Sequence, residues 1–98
     1  MNIVKLNKGS VELRNQHGIL QKIITEKAQS ADLSNCQSLV VVTKLDGTVE
    51  LRESNGILVR NITMNGRDAR FQGDDIVIYK NNGDVELRGK NGILIRNI

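Results

Sequence analysis

The stretch GDVELRGKNGILIRNI, residues 83–98, decides the fold because the chain contains it three times. Residues 47–62 match it at 12 of 16 positions, and with residues 9–24 nine of the 16 positions are the same in all three copies. The copies begin 38 and then 36 residues apart, a period typical of proteins built from repeated supersecondary units. The sequence therefore predicts three similar units in one chain.

Each copy has the pattern of a three-stranded antiparallel meander. Short β-branched runs precede the copies, as is typical of strands, at residues 3–6, 39–42 and 76–79. Val-Glu-Leu-Arg then alternates apolar and charged side chains, which predicts one buried face and one face exposed to water. Ile-Leu runs supply the third strands, at residues 19–20, 57–59 and 93–95.

Turns that contain glycine join these strands. Asp46-Gly47 and Asn82-Gly83 are hairpin dipeptides in which both residues are expected to take positive φ. His17, Asn55 and Asn91 precede the glycine of the second turn, and these residue types tolerate the left-handed region.

The repeats form a single domain in this interpretation, with boundaries at about residues 1–24, 39–62 and 75–98. Connectors 25–38 and 63–74 separate them. The first connector is compatible with a short helix or with a strand at residues 30–33, and the second contains a strand at residues 69–71. A complete repeat would then have about four strands, and the last repeat would be truncated.

These observations predict an all-β fold of three internal repeats, each an antiparallel three-stranded meander. One meander cannot bury its apolar face alone, so the copies must cover one another or be completed by another chain. Pseudo-threefold packing and a short β-solenoid are both compatible with the repeat, and we favour these two without separating them.

The composition restricts the class of protein. Hydrophobic residues make up 39% of the chain and aromatic residues 2%, so Val, Ile and Leu must form the core. The single cysteine excludes an intrachain disulfide framework. No stretch approaches the roughly 20 apolar residues of a membrane helix, and residues 1–10 lack the apolar run of a signal peptide. We expect no membrane association and a cytoplasmic location, or assembly there into something larger.

Residues 83–98, with 47–62 and 9–24 as further copies, resemble the repetitive β-segments of bacteriophage tail spikes, fibres and related virion proteins. In those proteins short strands alternate with Asn-Gly and Asp-Gly turns. The resemblance implies an oligomeric structural protein, with a trimer favoured, that is assembled into a virion and has no active site.

Arginines are the candidate binding residues. Arg67 and Arg70 lie in residues 65–75, which are not repeated, and a loop that departs from a repeat is a place where binding can be added. Recurring arginines on the face predicted to be exposed could bind phosphate or an acidic polymer: Arg52, Arg60, Arg88 and Arg96.

A structural interpretation of the recurring arginines is also available. Arg52 and Arg88 each follow a glutamate by two residues, which favours ion pairing over ligand binding. Nucleic acid is an unlikely partner because Phe71 and Tyr79 are the only aromatic residues available for base stacking.

Catalytic chemistry has little support. His17 occupies a turn position that asparagine fills in the other copies, and Cys36 lies in a polar stretch, where we expect an ordinary thiol. We therefore predict no catalytic, metal or cofactor site and a protein that is not an enzyme.

The main functional prediction is a structural or assembly protein that self-associates through its β-repeats as a homo-oligomer. Its contact edge would be the apolar C-terminal strand, namely Ile93, Leu94, Ile95 and Ile98. The alternative is a small β binding module or inhibitor that recognises a protein, a sugar or an acidic ligand through residues 65–75 and the arginine-bearing face.

Overall fold

The computed structural model describes residues 1–98 and contains eleven β-strands. They are β1 (Asn2–Asn7), β2 (Ser10–Asn15), β3 (Leu20–Thr25), β4 (Ala28–Leu33), β5 (Leu39–Lys44), β6 (Val49–Glu53), β7 (Leu58–Thr63), β8 (Gly66–Gln72), β9 (Asp75–Lys80), β10 (Val85–Arg88) and β11 (Leu94–Asn97). No helix in the chain has the length and apolarity needed to cross a membrane.

The strands form three separate antiparallel sheets. Sheet 1 has the order β1-β2-β3, sheet 2 the order β4-β5-β6-β7, and sheet 3 the order β8-β9-β10-β11. Each sheet contains one of the predicted meanders, so the all-β class and the three repeats are confirmed. The third strands begin one residue later than the Ile-Leu runs and extend further than predicted.

Both predicted connectors contain a strand, and neither contains a helix. β4 and β8 do not close the meander that precedes them; they pair with β5 and β9, the first strands of the meander that follows. The expectation of a truncated last repeat is therefore wrong, because the three-stranded sheet is sheet 1. Lys27 (φ 56°) and Asn65 (φ 60°) sit in the left-handed region at the sharp turns that direct the chain into the next sheet.

Two hydrophobic clusters hold the sheets together in chain order. Val11, Leu13 and Ile24 of sheet 1 pack with Ala28, Val40 and Val42 of sheet 2. A second cluster joins sheet 2 to sheet 3 and consists of Val41, Val49, Leu51, Ile62, Ala69, Ile76 and Ile78. No cluster joins sheet 1 to sheet 3. The expected pseudo-threefold packing is wrong for this reason, and the β-solenoid is wrong because the three sheets are separate and antiparallel.

Strand β5 shows why sheet 2 is apolar on both faces. Val40 and Val42 contact sheet 1, whereas Val41 between them contacts sheet 3. Successive side chains of a strand point to opposite faces, so a strand covered on both sides needs an uninterrupted apolar run. All three valines are fully buried.

The prediction that the glutamate face of Val-Glu-Leu-Arg is exposed to water is wrong. Glu12 is 6% exposed and Glu50 is 9% exposed. Val49 and Leu51 of β6 face sheet 3, so Glu50 points toward sheet 1. The charge is tolerated because Arg52 binds it, with Nε 3.0 Å from Glu50 Oε1. The arginines in sheets 1 and 3 bind Glu12 and Glu86 in the same way.

The glycine turns lie where predicted, but their backbone differs from the expected type. Asp46 and Asn82 do not have positive φ, and only the glycines after them do. The polar side chains act instead as acceptors, as in Asx turns. Asp46 Oδ1 accepts a hydrogen bond from Thr48 N at 2.9 Å, and Asn55 and Asn91 accept one from Ile57 N and Ile93 N.

Backbone contacts fix each sheet to the next at one end. Gly66 N donates to Gly47 O at 2.8 Å, and Ala28 N donates to Gly9 O at 2.9 Å in the same arrangement. Gly47 has φ +93°, and a Cβ atom there would lie 3.1 Å from Asn65 Cα. The turn therefore requires glycine, both for its backbone conformation and for the close approach of residue 65.

Candidate functional site

The first strands of sheets 2 and 3 lie side by side and form the wall of an open cavity. Phe71 N in β8 donates to Asp32 Oδ2 in β4 at 2.8 Å, which connects the two strands directly. The cavity beside them has a volume of about 600 Å³. Six residues line it, five from β4 and β8 and one from β9: Gln29, Ser30, Arg67, Asp68, Arg70 and Tyr79.

The charged groups of this cavity are only partly neutralised. Arg70 Nε lies 3.3 Å from Asp68 Oδ2, and the Arg70 side chain is 65% exposed. Arg67 makes no ion pair and no hydrogen bond. Two guanidinium groups and one carboxylate leave the cavity with one excess positive charge, and a guanidinium without a partner can bind a carboxylate or phosphate in a bidentate manner.

An unused hydroxyl adds to the polar character of the site. Ser30 Oγ is buried and has no hydrogen-bond partner, and the same is true of Thr43 Oγ1. The two residues are cross-strand neighbours in β4 and β5. Because a buried polar group without a partner is unfavourable, a ligand or water that reaches Ser30 Oγ would gain a hydrogen bond.

The cavity lies where the repeat varies in sequence. β4 and β8 have matching registers, since Ala31 faces Val42 and Ala69 faces the equivalent Ile78. At the positions around these alanines β4 reads Gln-Ser-Ala-Asp and β8 reads Arg-Asp-Ala-Arg. The small residue that packs in the core is retained, while the polar residues at the cavity change. This combination is typical of a scaffold whose surface carries a specific site.

The six predicted binding arginines do not form one surface. Arg67 and Arg70 lie together in the cavity, although residues 66–72 form strand β8 and not the expected loop. Arg52 and Arg88 bind their glutamates, and their Nη1 atoms also donate to Gly56 O and Gly92 O, each at 2.8 Å. These two have a structural role.

The remaining two arginines lie on outer strands. Arg60 Nη1 donates to Asn91 O in the neighbouring sheet at 3.0 Å. Arg96 is exposed and makes no hydrogen bond or ion pair. Both lie on the last strand of their sheet, away from β4 and β8, and neither lines the cavity.

Sequence reasoning missed four lining residues: Gln29, Ser30, Asp68 and Tyr79. A signal for the first three was available, because AQSADL (28–33) and GRDARF (66–71) share the order small, polar, polar, Ala, charged, apolar. Aligning the two connectors would have shown that they carry the same strand. The contact between β4 and β8 could not be derived from that alignment.

The apolar C-terminal strand, predicted as an oligomer contact edge, is exposed in the single chain, but it is not unique. Ile93 is 66% exposed and Ile98 is 72% exposed, and Leu94 and Ile95 lie between them on the exposed edge strand β11. The matching Ile-Leu pairs of β3 and β7 are exposed too. No group of three His, Cys, Asp or Glu side chains is arranged to hold a metal ion.

Cys36 differs from the ordinary thiol expected from the sequence. Its Sγ lies 3.4 Å from Ser34 Oγ and 2.8 Å from Ser38 Oγ. Hydrogen bonds from Ser34 and then Ser38 lower the pKa of the exposed Cys36 thiol to about 7. Hydrogen bonding of this kind favours the thiolate, which is the reactive form.

We therefore expect Cys36 to be alkylated by iodoacetamide with a rate that reaches half its maximum near pH 7. An unperturbed thiol would reach that point at about pH 8.5. A double Ser34→Ala, Ser38→Ala variant should move the midpoint to higher pH, as followed by mass spectrometry. A midpoint that is the same in both proteins would show that the serines do not stabilise the thiolate.

The sheet arrangement matches a protein of known structure. BamB from Moraxella catarrhalis superimposes on 98% of this chain with a TM-score of 0.74 and 14% sequence identity. The three antiparallel sheets resemble the blades of the BamB β-propeller. The chain spans 32% of the length of BamB. No protein family and no curated protein matches the sequence.

This match overturns the resemblance to phage tail spikes and fibres. Short strands separated by Asn-Gly and Asp-Gly turns occur in every kind of antiparallel meander, so the turn pattern did not distinguish a propeller blade from a fibre repeat. In a propeller, successive blades pack face to face around an axis with the first strand of each blade innermost. By this likeness β4 and β8 correspond to inner strands, and we call them the inner strands; the cavity lies beside them.

Proposed function

We propose that the chain is a non-enzymatic binding module whose inner strands hold an acidic group of a partner molecule. The observation that carries this proposal is the pair Arg67 and Arg70 in an open cavity of the inner strands. The Arg67 side chain has no counter-charge, and Arg70 is paired with the partly exposed carboxylate of Asp68. A carboxylate entering the cavity would therefore gain charge-assisted hydrogen bonds without first breaking a buried ion pair.

Three further features support an acidic ligand. The net charge of the chain is +3, which favours approach of an anion. Ser30 Oγ, which has no hydrogen-bond partner, provides an additional donor in the cavity. Tyr79 offers an aromatic face and a hydroxyl to a ligand that extends beyond its acidic group. We take an acidic peptide as the ligand class, since the cavity is open and large enough for several side chains.

The test is binding of a fluorescent oligoglutamate peptide, measured by anisotropy at low salt. We expect saturable binding to the unmodified protein and at least a tenfold loss in the Arg67→Ala, Arg70→Ala variant, because each charge-assisted hydrogen bond contributes about 1.5–3 kcal/mol. Raising the salt concentration should weaken binding.

A matched control removes the same charge elsewhere. The variant Lys8→Ala, Lys22→Ala also loses two positive charges, but both side chains are exposed and distant from the cavity. It should retain most of the affinity. Equal losses in the two variants would show only nonspecific attraction by net charge and would contradict a site at the inner strands.

A further inference from the structure

The side-chain amide of Gln29 has a fixed orientation at the wall of the cavity. Its Nε2 donates to Lys44 O at 3.0 Å and to Gly66 O at 3.4 Å. A carbonyl oxygen can only accept hydrogen bonds, so both contacts require the amide nitrogen and neither could be made by Oε1. Lys44 belongs to sheet 2 and Gly66 to sheet 3. The amide is therefore held between the two sheets whose first strands form the cavity.

The Oε1 atom of Gln29 is left without a partner. Gln29 lines the cavity, and no group of the chain donates to this oxygen. Because both hydrogens of Nε2 are already donated, the side chain can offer a ligand only an acceptor. The Asp68 oxygens, by contrast, already accept from Ala69 N and Arg70 Nε. The free amide oxygen is thus a feature that a purely cationic site would lack.

Gln29 and Arg67 occupy the same structural position in neighbouring strands. The pairing register shifts by one residue at position 29 in β4 and at position 67 in β8, so each strand has one extra residue there. A β-bulge of this kind redirects the side chain of the extra residue. Both side chains line the cavity. One bulge presents a fixed acceptor, and the other presents a guanidinium without a partner.

We propose that Gln29 is a specificity-determining residue of the acidic-peptide site, an inference that rests on the proposed function. Its Oε1 accepts a hydrogen bond from a backbone N–H of the ligand, while Arg67 binds a carboxylate of the same ligand. An acidic peptide offers both groups within one residue. An anion without N–H groups, such as polyphosphate, would place an acceptor oxygen against Oε1, and two acceptors in contact repel each other. Gln29 therefore selects a peptide among anions, which arginines alone do not do.

The two hydrogen bonds of Nε2 make this selection effective. They hold the amide in place before a ligand arrives, so binding does not have to restrict a freely rotating glutamine side chain. The same bonds prevent the amide from turning to present Nε2 to a ligand oxygen, because two protein carbonyls would then lose their donor. The preference for a donor is thus fixed by the contact between sheets 2 and 3.

Two ligands that differ only at their backbone nitrogens test the proposal. They are fluorescent oligoglutamate and the same peptide methylated at every backbone nitrogen, which has the same carboxylates and no backbone N–H. Anisotropy titrations should show about two- to tenfold tighter binding of oligoglutamate, the range that one neutral hydrogen bond contributes. Added salt should weaken both ligands. Their affinity ratio should stay unchanged, because the bond that distinguishes them joins two neutral groups.

Two substitutions of Gln29 should abolish the preference. Gln29→Met keeps a similar side-chain length and removes the amide, so the two ligands should bind equally. Gln29→Arg introduces the residue type that β8 carries at the equivalent bulge, and it should strengthen binding of both ligands while removing the difference between them. The matched control is Gln21→Met, which changes an exposed glutamine on strand β3 outside the cavity and should retain the preference.

Failure of this inference and failure of the proposed function give different results. Equal binding of the two ligands to the unmodified protein, or a preference that persists in Gln29→Met, would overturn the role of Gln29 and leave the acidic-peptide site intact. If Gln29→Met weakens both ligands by the same factor, Gln29 only positions the strands, and its role as an acceptor is again overturned. If neither ligand binds, or if Arg67→Ala, Arg70→Ala loses no affinity, the proposed function is contradicted and this inference with it.

Discussion

Replacement of Leu51 by alanine is expected to destabilise the protein by about 2–5 kcal/mol, since it deletes a large buried side chain and leaves a cavity. Leu51 is 2% exposed and lies in the cluster that joins sheets 2 and 3, together with Val41, Ile76 and Ile78. The loss is a large share of the roughly 5–15 kcal/mol by which domains are stable. Urea denaturation followed by circular dichroism measures the change in the free energy of unfolding.

The matched control is Leu58→Ala, which makes the same change on strand β7, where the leucine is 43% exposed. Its expected cost is less than half that of Leu51→Ala, because less area is removed from the interior. Equal costs for the two substitutions would mean that sheets 2 and 3 do not bury Leu51 between them.

Replacement of Gly66 by alanine is expected to destabilise the protein by about 1–3 kcal/mol through overpacking. A Cβ atom at Gly66 would lie 2.5 Å from Val49 Cγ2, and Val49 is fully buried at the contact between sheets 2 and 3. Neither strand can move away freely, because Gly66 N is hydrogen-bonded to Gly47 O. The free energy of unfolding in urea again provides the measurement.

A double-mutant cycle identifies the cause of this effect. Val49→Ala removes the Cγ2 atom, so Gly66→Ala should cost markedly less in that background than in the unmodified protein. Gly89→Ala is the control: its Cβ would meet Oδ1 of Asn91, which accepts a hydrogen bond from Ile93 N, so any cost there should be unchanged by Val49→Ala. If Gly66→Ala is neutral, or if its cost is unchanged by Val49→Ala, then β8 does not pack closely against Val49 of β6.

The repeat made the strands of each meander predictable. Strict alternation in Val-Glu-Leu-Arg and the β-branched runs at residues 39–42 and 76–79 indicated β-structure, and β5, β6 and β9 formed there. Local turn chemistry placed the glycine turns correctly as well. These features depend on neighbouring residues, which a single sequence displays directly.

The assignment of β4 and β8 to sheets could not be obtained in the same way. Residues 30–33 and 69–71 were compatible with strands, but whether each strand joins the preceding or the following meander depends on a turn of two or three residues. Lys27 and Asn65 take positive φ at those turns, and neither residue type requires it. The partner of a strand is a long-range property that strand propensity does not contain.

The error about the glutamate face has a related cause. Alternation of apolar and charged residues usually indicates one exposed face, but sheet 2 has a neighbouring sheet on both of its faces. Glu50 is covered because Arg52 neutralises it within the same strand. The triple valine of β5 was the one local sign that both faces of sheet 2 are buried.

The candidate site was predicted in part. Arg67 and Arg70 were singled out because they are not repeated, and the structure places both in the cavity. The other four arginines are dispersed, since a residue that recurs at one motif position lies at the same place in each of three sheets and not on one shared surface. Ser30 and Gln29 reach the cavity only because β4 lies beside β8.

Methyl–methyl nuclear Overhauser effects in a protein labelled at Val, Leu and Ile methyl groups test the order of the sheets most directly. Contacts are predicted from Val40 and Val42 to Leu13 of sheet 1, and from Val41 to Ile76 of sheet 3, so that neighbouring valines of β5 report on opposite neighbours. A monomeric sample should show no contact between the methyl groups of sheets 1 and 3. Contacts from Leu13 to Ile76, or from Val41 to sheet 1, would contradict three sheets packed in chain order.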